Sequence, residues 1–203
     1  QDDRNELSIV NAVIEGADDE VYVMFSNSMI IRDAELALQN NGTNYRTLCN
    51  RGANGIDGII STTLGASFGS EGKVICLIGD VATTHDFGGI LASMRLKADM
   101  TIVIFDNGGG GIFSFLPISN AIDKEHFDKY FLTSPKLPFT DIFESLGIDV
   151  STPDTIKELK AEMKKTISKS GLSVIYYKSD TDATLRAFRS IRDTFDQEIS
   201  RKA

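Results

Sequence analysis

The sequence lacks the features of several protein classes. Its 21 Lys and Arg residues are outnumbered by 29 Asp and Glu, so the formal charge of −8 offers no basic surface for nucleic acid or an anionic membrane. No apolar run approaches the roughly 20 residues needed to span a bilayer. The opening stretch QDDRNELSIV has neither the basic nor the apolar region of a secretory signal. We therefore expect a cytoplasmic protein that binds neither nucleic acid nor membrane.

Cysteine and the common nucleotide-binding motifs are also scarce. The two cysteines, Cys49 and Cys76, lie in apolar strand-like runs. We therefore expect buried thiols rather than a disulfide or a zinc site. No G-x-G-x-x-G stands near the glycine-rich turns, and no G-x-x-x-x-G-K-[ST] occurs, which disfavours dinucleotide and P-loop sites.

What the sequence does contain is an alternation of short apolar runs and helical patterns. Its 203 residues are enough to form a core without disulfide or metal support. Continuous apolar strands separated by helices predict a three-layer αβα fold with a mostly parallel, roughly six-stranded sheet. The predicted strands are Val21–Phe25, Arg46–Cys49, Val74–Ile78, Thr101–Phe105 and Ser173–Tyr177. The predicted helices are Asn5–Glu15, Ile30–Leu38, Ile56–Phe68, Phe87–Leu96, Lys124–Phe131, Phe139–Leu146, a long helix beginning at Thr152-Pro153, and Asp182–Ile199.

The segments that follow the first four strands are unusual, and in parallel sheets ligands bind beyond the carboxyl ends of strands. After Phe25 comes SNSMIIR, in which Ser28 and Arg32 stand near a helix start. The alternative for this pair is a helix cap and a solvated arginine. After Cys49 comes NRGANGIDG, where Arg51 stands among glycines. A guanidinium there suits a carboxylate or phosphate, although the segment also fits a simple tight turn.

The other two strand ends supply oxygen atoms. GDVATTHD follows Ile78 and DNGGGG follows Phe105, so Asp80 and Asn107 are 27 residues apart, one strand–helix–strand unit. A carboxylate, an amide oxygen and a glycine-loop carbonyl are hard ligands of the kind that Mg²⁺ takes alongside phosphates. The alternative for Asp80 is a helix cap. His85 and Asp86 are expected in the first turn of the following helix.

These motifs together resemble one family. The Gly-Asp pair followed by an Asn about 27 residues later is similar to the metal and diphosphate motif of thiamine-diphosphate enzymes. With NRGANGIDG, SNSMIIRD and NGGGGIFSFLP, the chain from Asn5 to Ser179 resembles 2-succinyl-5-enolpyruvyl-6-hydroxy-3-cyclohexene-1-carboxylate synthase of menaquinone biosynthesis. The resemblance implies thiamine diphosphate and Mg²⁺ or Mn²⁺ as cofactors. It also implies decarboxylation of 2-oxoglutarate, addition of the product to isochorismate, and a homo-oligomer (a dimer or a dimer of dimers) with its active site at the subunit interface.

The resemblance also implies roles for individual residues. The metal would be held by Asp80, Asn107 and the Gly109 carbonyl. The residues implied in catalysis are Ser28, Arg32, Arg51 and Ile56, with Ile56 under the cofactor and Arg51 against a substrate carboxylate. Ile112, Phe113 and Leu116 would form the apolar wall of the pocket. The residues implied in cofactor binding are Ser28, Ile56, Gly79, Asp80, Val81, Asn107, Gly109, Gly110, Gly111, Ile112 and Phe113.

The sequence departs from the family pattern in two ways. Val81 stands where the motif often has Gly, and Asp106 where it often has Asn, but neither is an implied metal ligand. Family members are several hundred residues long, so residues 1–203 are expected to be a diphosphate-binding domain without the pyrimidine-binding and middle domains. Such a domain is expected to be inactive alone and to expose Ile112, Phe113 and Phe115. The alternatives are another thiamine-diphosphate-dependent decarboxylase or synthase, or a non-catalytic nucleotide-binding module.

Overall fold

A computed structural model describes residues 4–17, 20–38 and 45–202, and its centre is a six-stranded sheet. The strand order is β2-β1-β3-β4-β6-β5, and every neighbouring pair is parallel. The expected three-layer fold with a parallel sheet is confirmed. The strands are β1 (Val21–Phe25), β2 (Tyr45–Cys49), β3 (Val74–Gly79), β4 (Met100–Asp106), β5 (Asp149–Ser151) and β6 (Leu172–Lys178).

Helices cover both faces of the sheet. One face packs against α1, α2, α9 and α10, and the other against α3, α4, α5 and α8. Two short helices, α6 and α7, follow the glycine-rich segment. The helices are α1 (Glu6–Gly16), α2 (Met29–Ala37), α3 (Ile59–Gly69), α4 (Asp80–His85), α5 (Phe87–Arg95), α6 (Ile118–Ala121), α7 (Lys124–Phe127), α8 (Phe139–Ser145), α9 (Ile156–Ile167) and α10 (Thr181–Lys202).

Strand β3 shows why these apolar runs form a central sheet. Val74, Cys76 and Ile78 point into the core beneath one helical layer, whereas Ile75 and Leu77 point into the core beneath the other. All five side chains are fully buried. A strand with helices on both faces needs apolar residues at consecutive positions, which is the pattern that the sequence shows.

Four sequence-based expectations fail in detail. Strand β5 was not predicted, because it has three polar or half-buried residues at the edge of the sheet. The long helix begins after Thr155, whose side chain accepts a hydrogen bond from Glu158 N, rather than at Thr152-Pro153. Cys49 is exposed, since β2 is the other edge strand, although Cys76 is buried as expected. The predicted helix Lys124–Phe131 ends at Phe127 and continues as a π-helical turn, Asp128–Leu132.

The part of the chain that the structure describes contains no helix that is both long enough and apolar enough to span a membrane.

Close packing of α1 on α9 depends on Gly16. A Cβ atom at this position would lie 2.7 Å from Met163 Cβ and 3.0 Å from the Lys160 carbonyl oxygen. We expect Gly16→Ala to lower the free energy of unfolding by about 1–3 kcal/mol, because the two helices must move apart. The matched control is Gly65→Ala in α3, where a Cβ meets no atom within 4 Å.

The control should raise the free energy of unfolding by about 0.5–1 kcal/mol, since it removes only the conformational freedom of glycine. Urea denaturation of the two variants and the parent measures both changes. Equal changes in the two variants would contradict this account of the α1–α9 contact.

Candidate functional site

The four unusual strand ends lie side by side. Strands β2, β1, β3 and β4 are consecutive in the sheet, so the segments after Cys49, Phe25, Gly79 and Asp106 share one edge. Gly79 is paired with Phe105, which brings Asp80 beside the end of β4. These segments surround a cavity of about 270 Å³.

Nearly every candidate site residue from the sequence lines this cavity. All eleven expected cofactor-binding residues line it, which includes the three expected metal ligands. Arg32, Arg51 and Leu116 do not line it, so Leu116 is not part of the expected apolar wall. The remaining lining residues, which sequence reasoning did not select for the site, are Glu6, Asn27, Met29, Ile30, Ala82, His85, Phe105 and Thr133.

Asp80 is a buried carboxyl group with few contacts that would stabilise its negative charge. It is 2% exposed, and its Oδ1 accepts a hydrogen bond of 2.8 Å from Val81 N. Burial, followed by the charge of the nearby Asp106 carboxylate, raises the pKa of Asp80 to about 8, although the hydrogen bond from Val81 N acts in the opposite direction. A negative charge in this position is unfavourable unless a cation lies beside it.

The Asn107 amide has a defined orientation. Its Oδ1 accepts a hydrogen bond of 3.2 Å from Gly109 N, and its Nδ2 donates one of 2.8 Å to Glu6 Oε1. Its main-chain oxygen accepts a hydrogen bond of 3.2 Å from Thr181 Oγ1. The side chain and the backbone of Asn107 are therefore both held by elements outside β4.

The glycines that follow Asn107 are needed for two different reasons. Gly108 and Gly109 have φ angles of +82° and +138°, which side-chain-bearing residues rarely adopt. Gly109, Gly110 and Gly111 have no room for a Cβ atom, which would lie 2.3 Å from Leu132 O, 2.8 Å from Phe131 O and 2.6 Å from Asn107 Nδ2, respectively. The glycine segment, residues 108–111, thus packs between Asn107 and the π-helical turn Asp128–Leu132, and it also lines the cavity.

Asp106 has a structural role within this edge. Its Oδ1 accepts a hydrogen bond of 2.9 Å from Gly108 N, and its Oδ2 accepts one from Tyr176 Oη on β6. Burial and the hydrogen bond to Asp106 raise the pKa of Tyr176, so the phenol remains a donor. Asp106, which departs from the resembled motif, therefore anchors the start of the glycine segment.

Asn27 connects the first strand end to the arginine-containing turn. It is 2% exposed, and its Nδ2 donates to the carbonyls of Asn50 (2.9 Å) and Gly55 (2.5 Å). Its Oδ1 accepts a hydrogen bond of 2.7 Å from Arg51 Nη1. Asn27 belongs to the quoted SNSMIIR motif, but that motif gave no reason to prefer it over Ser28.

The two arginines lie at the surface around the cavity. Arg51 is exposed and reaches the cavity-lining Asn27, whereas exposed Arg32 donates to the carbonyl of Ser28 one helical turn earlier. Ser28 itself has a φ of +68°, an uncommon conformation for a residue with a side chain. Such backbone strain is often found at functional sites.

Glu6 is the main residue that sequence reasoning missed. It is 3% exposed at the start of α1 and lines the cavity. Asp33, on α2, is fully buried beside it, and burial followed by the charge of Glu6 raises the pKa of Asp33. A glutamate in the first turn of a helix is ordinary in a sequence, so no local signal marked it.

Two other expectations need correction. His85 is the last residue of α4 rather than the first turn of the next helix, and Asp86 lies between α4 and α5. The Asp86 carboxylate accepts hydrogen bonds from Ser61 N (2.7 Å) and Ser61 Oγ (2.8 Å), so it stabilises the first turn of α3.

The apolar wall after the glycines is less exposed than expected. Ile112, Phe113 and Phe115 are each partly buried. Phe113 packs edge-on against Phe131 with ring centroids 5.6 Å apart, and Phe115 packs against Phe188 at 5.0 Å. Leu116 is exposed.

The residues at this edge fit a cation that is shared with an anionic ligand. Among the residues that the structure describes, no cationic side chain is paired with Asp80. The Asn107 Oδ1 lies on the same edge, and Gly79 leaves open space where a Cβ would point. No group of three or more His, Cys, Asp or Glu side chains in residues 4–17, 20–38 and 45–202 is arranged to hold a metal ion. One carboxylate plus neutral oxygens instead suits Mg²⁺, which takes its other ligands from phosphates and water.

Comparison with protein families identifies the chain. The family described as "Thiamine pyrophosphate enzyme, C-terminal TPP binding domain" matches residues 35–177. The chain belongs to this family. Its match covers the ends of β2, β3 and β4 and the glycine segment, whereas Glu6 and residues 27–30, which also line the cavity, precede the matched range.

Curated relatives of this TPP-binding domain share one name, 2-succinyl-5-enolpyruvyl-6-hydroxy-3-cyclohexene-1-carboxylate synthase. The Bacillus velezensis protein is 34% identical over 180 residues, which are 89% of this chain and 31% of that protein. The Halobacterium salinarum protein is 36% identical over 192 residues, 93% of this chain and 32% of that protein. The TPP-binding domain thus spans about a third of the length of these relatives.

Solved structures support the fold. Benzoylformate decarboxylase from Polynucleobacter necessarius superposes with a TM-score of 0.69 at 20% identity, over 86% of this chain and 33% of that one. A thiamine diphosphate-dependent 4-hydroxybenzoylformate decarboxylase from Rhodococcus jostii gives a TM-score of 0.67 at 21% identity, over 87% of this chain and 32% of that one. At this identity the likeness shows the shared fold alone.

The raised pKa of Asp80 predicts how the stability of the metal-free TPP-binding domain depends on pH. The unfolded carboxyl loses its proton near pH 4, whereas the folded one keeps it until about pH 8. Because the folded state holds the extra proton in this interval, the free energy of unfolding should fall as pH rises from 4 to 8. One proton contributes at most about 1.4 kcal/mol per pH unit.

Asp80→Asn should remove this contribution, so that the variant gains stability relative to the parent as pH increases. Denaturation curves in the presence of a chelator, recorded at several pH values, measure the difference. If the difference in free energy of unfolding between parent and variant stayed constant from pH 4 to pH 8, the raised pKa of Asp80 would be contradicted.

Proposed function

We propose that this TPP-binding domain is the cofactor-binding part of a 2-succinyl-5-enolpyruvyl-6-hydroxy-3-cyclohexene-1-carboxylate synthase. The enzyme would decarboxylate 2-oxoglutarate and add the resulting four-carbon unit to isochorismate, in the cytoplasm, as a step of menaquinone biosynthesis. The observation that carries the proposal is the cavity at the ends of β1, β3 and β4, which gathers all eleven expected cofactor residues. The names of relatives that are 34–36% identical over most of this chain supply the choice of reaction.

In this proposal the cation and the diphosphate are held by the ends of β3 and β4. Asp80, Asn107 Oδ1 and the Gly109 carbonyl would ligate Mg²⁺ or Mn²⁺, since these are hard oxygen donors. Gly79, Val81, Gly110 and Gly111 would lie against the diphosphate, which the backbone can approach closely at the three glycines because they have no Cβ. The rest of the cofactor would lie among Ser28, Ile56, Ile112 and Phe113.

The protein's part in the reaction is to bind, orient and exclude water. When bound, thiamine diphosphate supplies the electron sink that decarboxylation of a 2-oxoacid requires. The partly buried apolar side chains of Ile56, Ile112 and Phe113 keep that side of the cavity dry. A dry wall favours loss of CO₂, because charge becomes dispersed as the carboxylate leaves.

Arg32 and Arg51 would bind the anionic substrates. Both proposed substrates carry two carboxylates, and a guanidinium binds a carboxylate through two parallel hydrogen bonds. Arg51 is exposed, and its Nη1 is held 2.7 Å from Asn27 Oδ1, so its position relative to the cavity is defined. Arg32 contacts the backbone of Ser28, which lines the cavity.

The complete activity would need a second half-site. We propose that the pyrimidine end of the cofactor is held by a pyrimidine-binding domain outside these residues, at the interface of a homo-oligomer. The acidic residues Glu71, Glu125 and Glu144, which are candidates to activate the cofactor by residue type, are all exposed on the surface. Glu6 is bound to Asn107 at the metal end of the cavity, so the TPP-binding domain alone should not decarboxylate 2-oxoglutarate.

Another thiamine-diphosphate-dependent decarboxylase is the second candidate, because the superposed structures are benzoylformate decarboxylases of the same fold. Substrates of that type carry a single carboxylate. Two arginines at the mouth of the cavity, on a chain with a formal charge of −8, favour substrates with more negative charge.

The decisive variant is Asp80→Asn, which keeps the shape of the side chain but removes the proposed charged ligand. We expect the parent chain to bind thiamine diphosphate in calorimetric titrations only when Mg²⁺ is present. Asp80→Asn should weaken that binding by at least about 100-fold, more than the loss of an outer-shell partner. The matched control is Asp141→Asn on the exposed surface of α8.

Asp141→Asn should bind thiamine diphosphate as the parent does. If Asp80 served only as a helix cap, Asp80→Asn would leave both stability and cofactor binding nearly unchanged, because asparagine caps helices about as well as aspartate does. Tighter Mg²⁺-dependent binding of ATP or NAD than of thiamine diphosphate would instead favour a nucleotide-binding module.

A further inference from the structure

Glu6 joins the start of the chain to the proposed metal site. Its Oε1 accepts hydrogen bonds from Asn107 Nδ2 at 2.8 Å and from Ser179 Oγ at 3.2 Å. Its own backbone N donates a hydrogen bond of 3.1 Å to Thr184 Oγ1 on α10. The carboxylate is therefore held by residues that follow β4 and β6, the backbone is held by α10, and 3% of the residue is exposed.

Packing alone does not account for a carboxylate in this place. Glu6 lies near two further buried carboxyl groups, Asp33 and Asp80, whose pKa values it raises. An apolar or neutral side chain would avoid both the desolvation and the repulsion. Two donors use this acceptor, Asn107 Nδ2 and Ser179 Oγ, and the shorter of the two contacts is the one to the Asn107 amide.

The two ends of that amide differ in what they can do. The oxygen can ligate a cation, whereas the NH₂ group can only donate hydrogen bonds. If the amide were flipped, Nδ2 would face the N–H of Gly109 and Oδ1 would face the Glu6 carboxylate. Both contacts would then be repulsive, and the carboxylate makes the larger difference because it carries the charge.

We propose that Glu6 is a positioning residue that keeps the Asn107 Oδ1 directed to the cation. The inference rests on the proposed function, because it concerns the same metal ligand. Glu6 acts through Asn107: it accepts a hydrogen bond from Nδ2, and this contact defines which atom the amide offers to the cavity. Outer-shell partners of this kind commonly determine the orientation of metal ligands.

Binding of Mn²⁺ in the presence of thiamine diphosphate tests the inference without relying on catalysis. The amount of free Mn²⁺ is measured by electron paramagnetic resonance, at protein concentrations high enough for weak sites. Glu6→Gln should weaken Mn²⁺ binding by about 10–100-fold, because glutamine can donate to Asn107 Oδ1 and stabilise the flipped amide. The matched control is Glu15→Gln, at the exposed end of the same helix, which should bind as the parent does.

Glu6→Gln also removes a negative charge near the cation, which by itself would weaken Mn²⁺ binding. The same substitution in an Asn107→Asp variant separates this electrostatic effect from the loss of positioning. In Asn107→Asp the side chain offers two equivalent oxygens, so it needs no orienting partner and is repelled by Glu6. In that background Glu6→Gln should leave Mn²⁺ binding unchanged or strengthen it. An equal loss in both backgrounds would show that Glu6 acts only through its charge and would overturn the proposal.

Glu6→Asp gives an independent measurement if Glu6→Gln does not fold. It keeps the charge but withdraws the acceptor from Asn107, so positioning predicts weaker Mn²⁺ binding and a purely electrostatic role predicts parental binding. If the parent chain itself binds no Mn²⁺ with thiamine diphosphate, the proposed function fails and this inference fails with it. If the parent binds and the Glu6 variants bind equally well, the inference alone is overturned.

Discussion

The arrangement of this domain depends on a carboxylate that is buried at the end of a central strand and has no paired cationic side chain in residues 4–17, 20–38 and 45–202. Asp80 follows β3 directly, in the middle of the sheet, where both faces are covered by helices. Its burial and the neighbouring Asp106 make the charged form unfavourable in the absence of a cation. Under the proposed function, binding of Mg²⁺ or Mn²⁺ there would remove that cost.

The surrounding contacts hold the other proposed ligands in place. Asp106 bonds both Gly108 N and Tyr176, which ties the glycine segment to two neighbouring strands. Gly109 and Gly110 then pass so close to Phe131 and Leu132 that no side chain fits. The segment is therefore held by the protein itself, and its carbonyls have a defined direction before any ligand binds. Such preorganisation lowers the cost of binding.

Local patterns in the sequence predicted the fold and the residues of each strand end, because buried parallel strands are continuous apolar runs and their ends carry unusual motifs. The spacing of Asp80 and Asn107 correctly placed them at one sheet edge. The same patterns could not predict Glu6 or Asn27, whose importance lies in contacts 101 and 24 residues away. Strand β5 and the exposure of Cys49 were missed because both depend on which strands lie at the edges of the sheet.

The central claim is that the ends of β3 and β4 form a single cation and diphosphate site. Crystals of this chain grown with Mn²⁺ and thiamine diphosphate test it most directly, since the anomalous scattering of Mn²⁺ locates the ion without assumptions about its ligands. The account predicts one strong anomalous peak within coordination distance of Asp80, Asn107 Oδ1 and the Gly109 carbonyl, with diphosphate oxygens completing the shell. A cofactor bound in the cavity with its Mn²⁺ held by other protein residues would contradict it.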